Sequence, residues 1–339
     1  MSLLRVLACG PSTSLQDRGR FGLQRFGVSP AGAMDPVALA AANALVGNAP
    51  ETAGIEFCML GGTFAVEGDP VLVAVVGAPL AVNGTATPAL TSVVLAAGDR
   101  LTVGAARGGV YACLAAAGGF LRPAEMGSLS VHRRSGIGGR PLVAGDELET
   151  GSRAGRPAPL TLPGLPPDSD GPFRVVLGPQ DDLFTPEAVA TFLGEPFTVS
   201  TRADRMGTRL TGPPLAHAKG FNIVSDGIVT GHVQVPGDGQ PIVLMRDRQT
   251  TGGYPKIATL VSADLARFAQ QQPGRRARFR AVSREEAVAA LVEHRRAVAR
   301  MLARVEPAAG AMTSERLLSV NLISGVEDAG RDPTGSGAP

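Results

Sequence analysis

The residues best suited to chemistry are concentrated between positions 232 and 256. Lys and Arg total 32, yet only two are Lys, and the chain has only two Tyr. One of each rare type, Tyr254 and Lys256, falls in this segment, directly after the paired glycines Gly252 and Gly253. A Gly-Gly turn lets backbone N–H groups approach an anion or a carboxyl group closely. The segment therefore indicates a binding site at the end of a strand.

Polar side chains around this turn supply the candidate site residues. Lys can act as a neutral base or nucleophile where Arg cannot, so Lys256 is the first catalytic candidate. Arg248 and Thr251 are the other two, as a cation and a hydroxyl donor. The candidate substrate-binding residues are the remaining polar and glycine positions: Gln234, Asp238, Asp247, Thr250, Gly252, Gly253 and Tyr254. A structural interpretation also stays open, because Gly-Gly-Tyr-Pro is typical of a hairpin turn closed by an aromatic plug.

Two apolar runs position these residues. His232–Val235 and Ile242–Met245 predict strands, and Pro236–Gln240 between them has the composition of a turn. Antiparallel pairing through that turn would place Gln234 and Asp238 beside the pocket into which the second strand delivers the Gly-Gly turn.

Composition limits the functional classes. A length of 339 residues predicts two domains, and 44% hydrophobic residues suffice for real cores. The net charge is only +2, Trp is absent and no basic stripe with interleaved aromatics occurs. We therefore expect no nucleic-acid partner.

Several common site motifs are missing from the sequence. The three cysteines are widely spaced without a CxxC pair, and the four histidines lack ligand spacing, so no metal site is predicted. No P-loop, HExxH or GxSxG motif is present. No Met-Lys-Met segment exists, so we expect no biotin attached to this chain.

The sequence shows no targeting or membrane signal. The N-terminus lacks a charged-then-apolar leader, and the most apolar stretch, Val71–Ala78, is too short to span a bilayer. We expect a cytoplasmic protein without a membrane partner.

Strand-like runs dominate the first half. They are short, rich in Val and separated by Gly, Pro, Asn or Asp: Arg5–Ala8, Thr63–Val66, Val71–Val76, Ser92–Leu95, Arg100–Val103 and Val110–Ala115. This spacing favours β-sandwiches or barrels over a parallel sheet with crossover helices. Helices are predicted only at about 36–46, 186–193, 263–270 and 284–304.

Composition also suggests the domain organisation. Residues 151–172 contain six prolines and no periodic apolar pattern, which predicts a linker between a first β-rich unit, 1–150, and a second, 173–282. A helix beginning with the capping box at Ser283 should span 283–305 and pack on the barrel or a partner. The Gly/Pro/Ala/Ser-rich tail, 306–339, is expected to be mostly mobile.

Three further polar clusters have structural interpretations. The charged turn Gln16–Arg20 should contain an Arg–carboxylate pair, and Asp204–Gly207 should contain an internal ion pair. Asp35 should cap the first helix.

Four long motifs occur in a fixed order. They read TSLQDRGRFGLQRFGVSPAGAMDPVALAAANALVGN, GGFLRPAEMGSLS, VSTRADRMGTRLTGPPL and GHVQVPGDGQPIVLMRDRQTTGGYPKIATLVSADLARFAQQQPG. Together they resemble the biotin-dependent carboxyltransferase family, also called allophanate hydrolase subunit 2. This family includes the C-type subunit of 5-oxoprolinase and the antagonist of the Kip histidine-kinase inhibitor. The resemblance runs from about residue 4 to residue 282.

The resemblance implies a mainly β fold with two cyclophilin-like β-barrel subdomains. It also implies an obligate partner, the B-type subunit, which is known as allophanate hydrolase subunit 1 or as the B-type component of 5-oxoprolinase. In 5-oxoprolinase systems these two, with a third A-type subunit, use ATP to hydrolyse 5-oxoproline to glutamate. In urea carboxylases, an asparagine aligned with Gln234 helps to bind urea.

One loop departs from the family pattern. Many relatives carry Gly-Ser-Arg-Ser-Thr where this chain has Gly127-Ser128-Leu129-Ser130-Val131-His132. A donor Arg and a Thr hydroxyl are lost, so this loop is not expected to contribute to the site.

The leading hypothesis is a C-type component of an ATP-dependent 5-oxoprolinase-like amidohydrolase, with Mg accompanying ATP in the complex and a lactam or urea-like substrate. Arg248 and Lys256 would stabilise phosphate charge, Thr250 and Thr251 with the glycine amides would hold an oxyanion, and Gln234 would recognise the amide. Two alternatives stay open: the carboxyltransferase component of a biotin-dependent urea carboxylase system, and a non-catalytic regulator that binds a Kip inhibitor-like partner.

Overall fold

The structure, a computed structural model, describes residues 2–151, 158–167 and 169–308. The first unit is built from eleven short strands, as the turn-punctuated runs predict. Their bounds are β1 Ser2–Cys9, β2 Ser14–Gln16, β3 Gly54–Cys58, β4 Gly62–Gly68, β5 Val71–Val76, β6 Leu80–Val82, β7 Thr85–Ala86, β8 Val93–Leu95, β9 Arg100–Val103, β10 Tyr111–Ala116 and β11 Glu147–Thr150.

These strands form two antiparallel sheets around one core. The strand orders are β11-β1-β4-β9-β6-β7 and β2-β3-β10-β5-β8. Residues of β9 alternate between exposed and buried, as expected of a strand with one face in water. The core between the sheets includes Phe57 and Phe64, whose rings meet edge to face at 6.1 Å.

Strands β5 and β10 are buried along their whole length. The reason is helix α1, Pro36–Leu45, whose alanine-rich face packs with side chains of both strands on the side away from the main core. Asp35 caps the helix as predicted, with Oδ1 accepting from the backbone N–H groups of Val37 and Ala38 at 3.0 and 2.9 Å.

The remaining elements follow in chain order. They are β12 Leu160–Thr161, β13 Phe173–Leu177, α2 Pro186–Gly194, β14 Phe197–Ala203, β15 Gly207–Thr211, β16 Asp226–Gly227, β17 His232–Gln234, β18 Ile242–Leu244, β19 Thr251–Gly252, β20 Lys256–Leu260, α3 Leu265–Ala269, β21 Arg276–Ala277, β22 Phe279–Ala281, α4 Arg284–Leu302 and β23 Glu306–Pro307.

Eight of these strands form the second unit, a single highly curved sheet. Its order is β21-β14-β15-β18-β17-β20-β13-β22, and only β13 and β22 pair in parallel. Phenylalanines fill its interior, among them Phe173, Phe192, Phe197 and Phe279. The predicted fold class, mainly β with two barrel-like units, is confirmed.

The two units are packed against each other. Met34 and Tyr111 of the first unit belong to the core of the second. Gln270, directly after α3, accepts hydrogen bonds from the backbone N–H groups of Val110 and Tyr111 and donates to Asp35 at 2.7 Å. The mutual position of the units is therefore fixed by both apolar and polar contacts.

All four predicted helices are present. The capping box of α4 is formed, with Ser283 Oγ accepting from the N–H of Glu286 and the Glu286 carboxylate accepting from the N–H of Ser283. The end of α4 is buried through Met301 against α1, whereas Val288 near its start is exposed.

The predicted linker contains structure of its own. Strand β12 lies within it and pairs with β23, which follows α4, and Leu162 beside it is buried with the α1 cluster. Strand β23 therefore also lies at the start of the predicted tail, 306–339, and the part of this tail beyond residue 308 lies outside the described residues. No helix in the described part of the chain is long and apolar enough to cross a membrane.

Candidate functional site

The hairpin of β17 and β18 places Gln234 on the outer face of the second unit. The strands pair antiparallel, with Val233 opposite Val243 and Gln234 opposite Ile242, so the predicted hairpin is confirmed. On its other side β17 pairs with β20, where Gln234 is opposite Lys256. Val233 and Val243 point into the core, so Gln234 projects the other way.

A two-stranded ribbon covers this face. Strands β16 and β19 pair through Asp226 with Gly252 and Gly227 with Thr251. A Cβ atom on Gly252 would lie 2.5 Å from Nε2 of Gln234, so a larger residue there would force the Gln234 amide to move. The Gly-Gly turn therefore packs its backbone against the Gln234 amide, which donates a long hydrogen bond of 3.5 Å to the Tyr254 carbonyl.

Lys256 is completely buried beneath the ribbon. Its Nζ lies 2.9 Å from Oδ2 of Asp226, whose side chain is about half exposed. The hydrogen bond and the charge of Lys256 lower the pKa of the Asp226 carboxyl. Gln180 holds both partners, since its Nε2 donates to Asp226 and its Oε1 accepts from the N–H of Lys256. The buried Lys256 ammonium is therefore paired with the Asp226 carboxylate, which is itself about half exposed to solvent.

Arg248 supplies a second buried cation. Its side chain is 2% exposed, and Nη2 donates to Oε1 of Gln24 at 3.0 Å. Within the described residues, Nε and Nη1 are buried without a hydrogen-bond partner. Burial, and then the charge of Arg246, lower its pKa to about 10. A buried guanidinium with two unsatisfied donors fits an anionic ligand, because leaving them unpaired costs free energy.

His232 lies on the same strand as Gln234, two residues earlier. It is 7% exposed, and burial, followed by the charges of Lys256 and Arg248, lowers its pKa to about 4. Nδ1 accepts from the N–H of Val229 at 3.3 Å, which fits a neutral ring. The imidazole therefore stays uncharged at pH values at which an exposed histidine would begin to protonate.

This depressed pKa predicts a loss of stability in mild acid. The unfolded chain binds a proton at His232 near pH 6.5, whereas the folded chain does so only near pH 4. The free energy of unfolding should therefore be fully retained above pH 6.5 and fall by up to about 3 kcal/mol as the pH drops through this window. Urea unfolding between pH 7.5 and 4 measures it. The loss should be smaller in His232→Gln, and an identical profile for that variant would contradict the assignment.

The other predicted site residues are distributed over four places. Tyr254 is partly exposed and lines an open cleft beside Gln234, while Thr250 and Thr251 lie on the ribbon itself. Asp238 is at the far end of the hairpin, exposed, where Oδ1 accepts from the N–H of Gln240 at 3.1 Å. This hydrogen bond stabilises the turn between β17 and β18.

Asp247 belongs to the junction between the units. Both of its carboxylate oxygens accept from Arg205, at 2.9 and 2.8 Å. Arg205 also forms an ion pair with Glu56 of β3 and donates to the Gly32 carbonyl at 2.8 Å. The internal ion pair predicted for Asp204–Gly207 is wrong, since Arg205 pairs with Glu56 and Asp247 outside this segment, while Asp204 Oδ1 accepts from the N–H groups of Met206 and Gly207.

The loop that departs from the family pattern contacts this junction. His132 Nε2 donates to the Asp247 carbonyl at 3.2 Å, and the hydroxyls of Ser128 and Ser130 donate to Asp17 at 2.7 and 2.5 Å. Burial alone would raise the pKa of Asp17, but these hydrogen bonds outweigh it and lower the pKa. An Arg–carboxylate pair was predicted for this turn. The Asp17 carboxylate is held instead by serine hydroxyls and backbone N–H groups.

Sequence analysis did not select Asp226, His232, Gln24 or Glu56. The alternation of His232, Val233 and Gln234 on one strand could have indicated that both polar side chains share a face. Glu56, a single acid in the apolar strand GIEFC, is a comparable sign of a buried ion pair. No metal-binding group of three His, Cys, Asp or Glu side chains occurs among residues 2–151, 158–167 and 169–308.

Comparisons with known proteins agree on the family. The model of the carboxyltransferase domain, subdomain A and B, matches residues 26–281. The chain is 36% identical to the 5-oxoprolinase C-type subunit of Haemophilus influenzae, over 84% of this chain and 93% of that protein. It is 35% identical to the 5-oxoprolinase C-type subunit of Escherichia coli, over 87% and 96%. The crystal structure of the Kluyveromyces lactis urea carboxylase matches 93% of this chain and 30% of its own, with a TM-score of 0.79 and 25% identity.

Proposed function

Because this chain belongs to the family of carboxyltransferase domains with subdomains A and B, we propose that it is the C-type component of an ATP-dependent 5-oxoprolinase-type amidohydrolase. One observation carries the proposal: the match to two C-type subunits of 5-oxoprolinases spans 93% and 96% of their lengths. The match to the Saccharomyces cerevisiae urea amidolyase, by comparison, covers 17% of that protein.

The reaction would open a cyclic amide that resonance stabilises against hydrolysis. ATP supplies a phosphoryl group to the carbonyl oxygen, which makes the carbonyl carbon electrophilic. One water then adds to the carbon and the ring C–N bond breaks, which releases the amine and leaves an acyl phosphate. A second water hydrolyses this acyl phosphate, so that 5-oxoproline, ATP and two waters yield glutamate, ADP and phosphate. Gln234 would bind the substrate amide, and the unpartnered donors of Arg248 with the ammonium of Lys256 would stabilise the phosphoryl charge.

Access to these cations depends on the β16–β19 ribbon. Lys256 is completely buried under it, and Gln24 joins it to Arg248, since Gln24 Nε2 donates to the Ile228 carbonyl at 2.8 Å. We propose that the ribbon moves when a B-type subunit binds, so that the site is completed only in the complex. A third, A-type subunit would take part as in other 5-oxoprolinases.

The proposal predicts that the isolated chain is inactive. Co-expression with the B-type and A-type subunits of the same organism should give a stable complex that converts 5-oxoproline to glutamate only when ATP is present. Coupled measurement of ADP and glutamate tests this, with the single chain and the ATP-free complex as controls. Full ATP-coupled turnover by the single chain, or none by the complex, would refute it.

A urea carboxylase component is the second candidate, and the structural match over 93% of this chain favours it. In that case a complex with a biotin carrier and a biotin carboxylase should consume bicarbonate and ATP when urea is added. The same assays therefore separate the two functions, and stable assembly without turnover of either substrate would support a regulator.

A further inference from the structure

A row of residues crosses the outer face of the second unit. Arg209 on β15 is opposite Ile242 on β18, which is in turn opposite Gln234 on β17. Residues that face each other on neighbouring strands project from the same side of a sheet. The alternate residues Val233 and Val243 point into the core, so this row faces outward. The backbones of Arg209 and Gln234 are therefore two strand spacings, about 10 Å, apart, and both side chains project from the same surface.

This row lines a cleft that is open on the Arg209 side, while its Gln234 end lies under the β16–β19 ribbon, where Gln234 is 2% exposed. The cleft has a volume of about 390 Å³, and Gln234, Arg209 and Tyr254 are among its lining residues. Ile242 and Leu244, also in the lining, give it an apolar floor between the amide and the guanidinium. A volume in this range and an apolar surface with a few polar groups are typical of small-molecule sites.

The cleft carries excess positive charge. Its lining includes three arginines: Arg134, Arg202 and Arg209. Arg202 lies on β14, in the part of that strand whose pairing with β15 is irregular. Among the described residues, Asp204 is the only acid in this lining, and its Oδ1 already accepts from the N–H groups of Met206 and Gly207 at 2.8 and 3.1 Å. Over the described ranges, neither Arg202 nor Arg209 forms an ion pair with a protein carboxylate.

We propose that Arg202 and Arg209 are specificity-determining residues that bind the carboxylate of a small amide, while Gln234 binds its amide group. A guanidinium forms paired hydrogen bonds to a carboxylate, which a neutral lactam or urea cannot accept in the same way. The apolar floor lies between these two groups and suits the ring methylenes. This assignment rests on the proposed function, and it selects carboxylate-bearing amides over neutral ones.

The test compares two ligands that differ by one carboxylate. In the reconstituted complex, the double variant Arg202→Gln/Arg209→Gln should raise the KM for 5-oxoproline about 10–100-fold. kcat at saturation should stay within about threefold, because neither residue touches the reacting carbonyl. Inhibition by 2-pyrrolidinone, the same ring without the carboxylate, should be unchanged. Arg280→Gln, an exposed arginine outside the cleft on β22, is the matched control.

The outcomes separate this inference from the proposed function. If the wild-type complex hydrolyses 5-oxoproline and the double variant has the wild-type KM, the assignment fails and the function stands. If the wild-type complex is inactive, the function fails, and calorimetric titration of the same complex decides the assignment. Tighter binding of 5-oxoproline than of 2-pyrrolidinone, lost in the double variant, would support it, and equal binding of the two would overturn it.

Discussion

Replacing Lys256 with alanine is expected to lower turnover of the reconstituted complex by about 10²–10³-fold. The side chain is completely buried, and its ammonium has one half-exposed carboxylate partner, Asp226, at 2.9 Å. If that ammonium moves onto a phosphoryl or carboxylate group in the transition state, its loss removes a charge-assisted contact made there. Steady-state turnover of 5-oxoproline measures the effect.

The chain offers a matched control for this variant. Lys219, the other lysine, is exposed and lies 3.8 Å from Asp182, so Lys219→Ala should keep wild-type kinetics. Lys256→Met fills the space left by the side chain without its charge, and should lose as much activity as Lys256→Ala. Thr251→Val should cost less, because a neutral hydroxyl is a weaker donor.

Assembly of each variant is checked by gel filtration. If Lys256→Ala assembles normally and retains wild-type kinetics, Lys256 has no catalytic role. The segment after β18 is then a hairpin closed by Tyr254, which is the structural interpretation.

Replacing Arg205 with methionine is expected to destabilise the chain by about 3–5 kcal/mol. Arg205 joins Glu56 of the first unit to Asp247 of the second, and both carboxylates are almost completely buried. Burial raises the pKa of Glu56, and the nearby guanidinium opposes that rise. Methionine has a similar length but no charge, so it leaves two buried carboxylates without their partner. Urea unfolding at neutral pH measures the loss.

An exposed ion pair serves as the comparison. Arg140 is paired with Asp146 at 2.7 Å on the surface, so Arg140→Met should destabilise the chain much less than Arg205→Met. Addition of Glu56→Gln to Arg205→Met should recover part of the loss, because it removes one of the unpaired charges. Equal destabilisation by Arg205→Met and Arg140→Met would show that the junction contributes no more than a surface pair.

Local elements of this protein are predictable from short sequence signals. The helix starting after Asp35, the capping box at Ser283 and the hairpin containing Gln234 each follow from signals a few residues apart, and all three are confirmed. The ordered motifs likewise identified the family, which the comparisons confirm. Such elements are predictable because capping, turn geometry and side-chain alternation depend on neighbours in the chain.

Which polar groups contact each other depends on the tertiary structure. Arg205 and Glu56 are 149 positions apart, and Arg248 and Gln24 are 224 apart. Their contacts depend on how the two units pack and on which side of the sheet each side chain projects from. Asp247 illustrates the consequence, since nearness in sequence suggested that it lines the pocket, while unit packing placed its carboxylate on Arg205. A one-residue change of register moves a side chain to the opposite face, so local sequence could not settle these contacts.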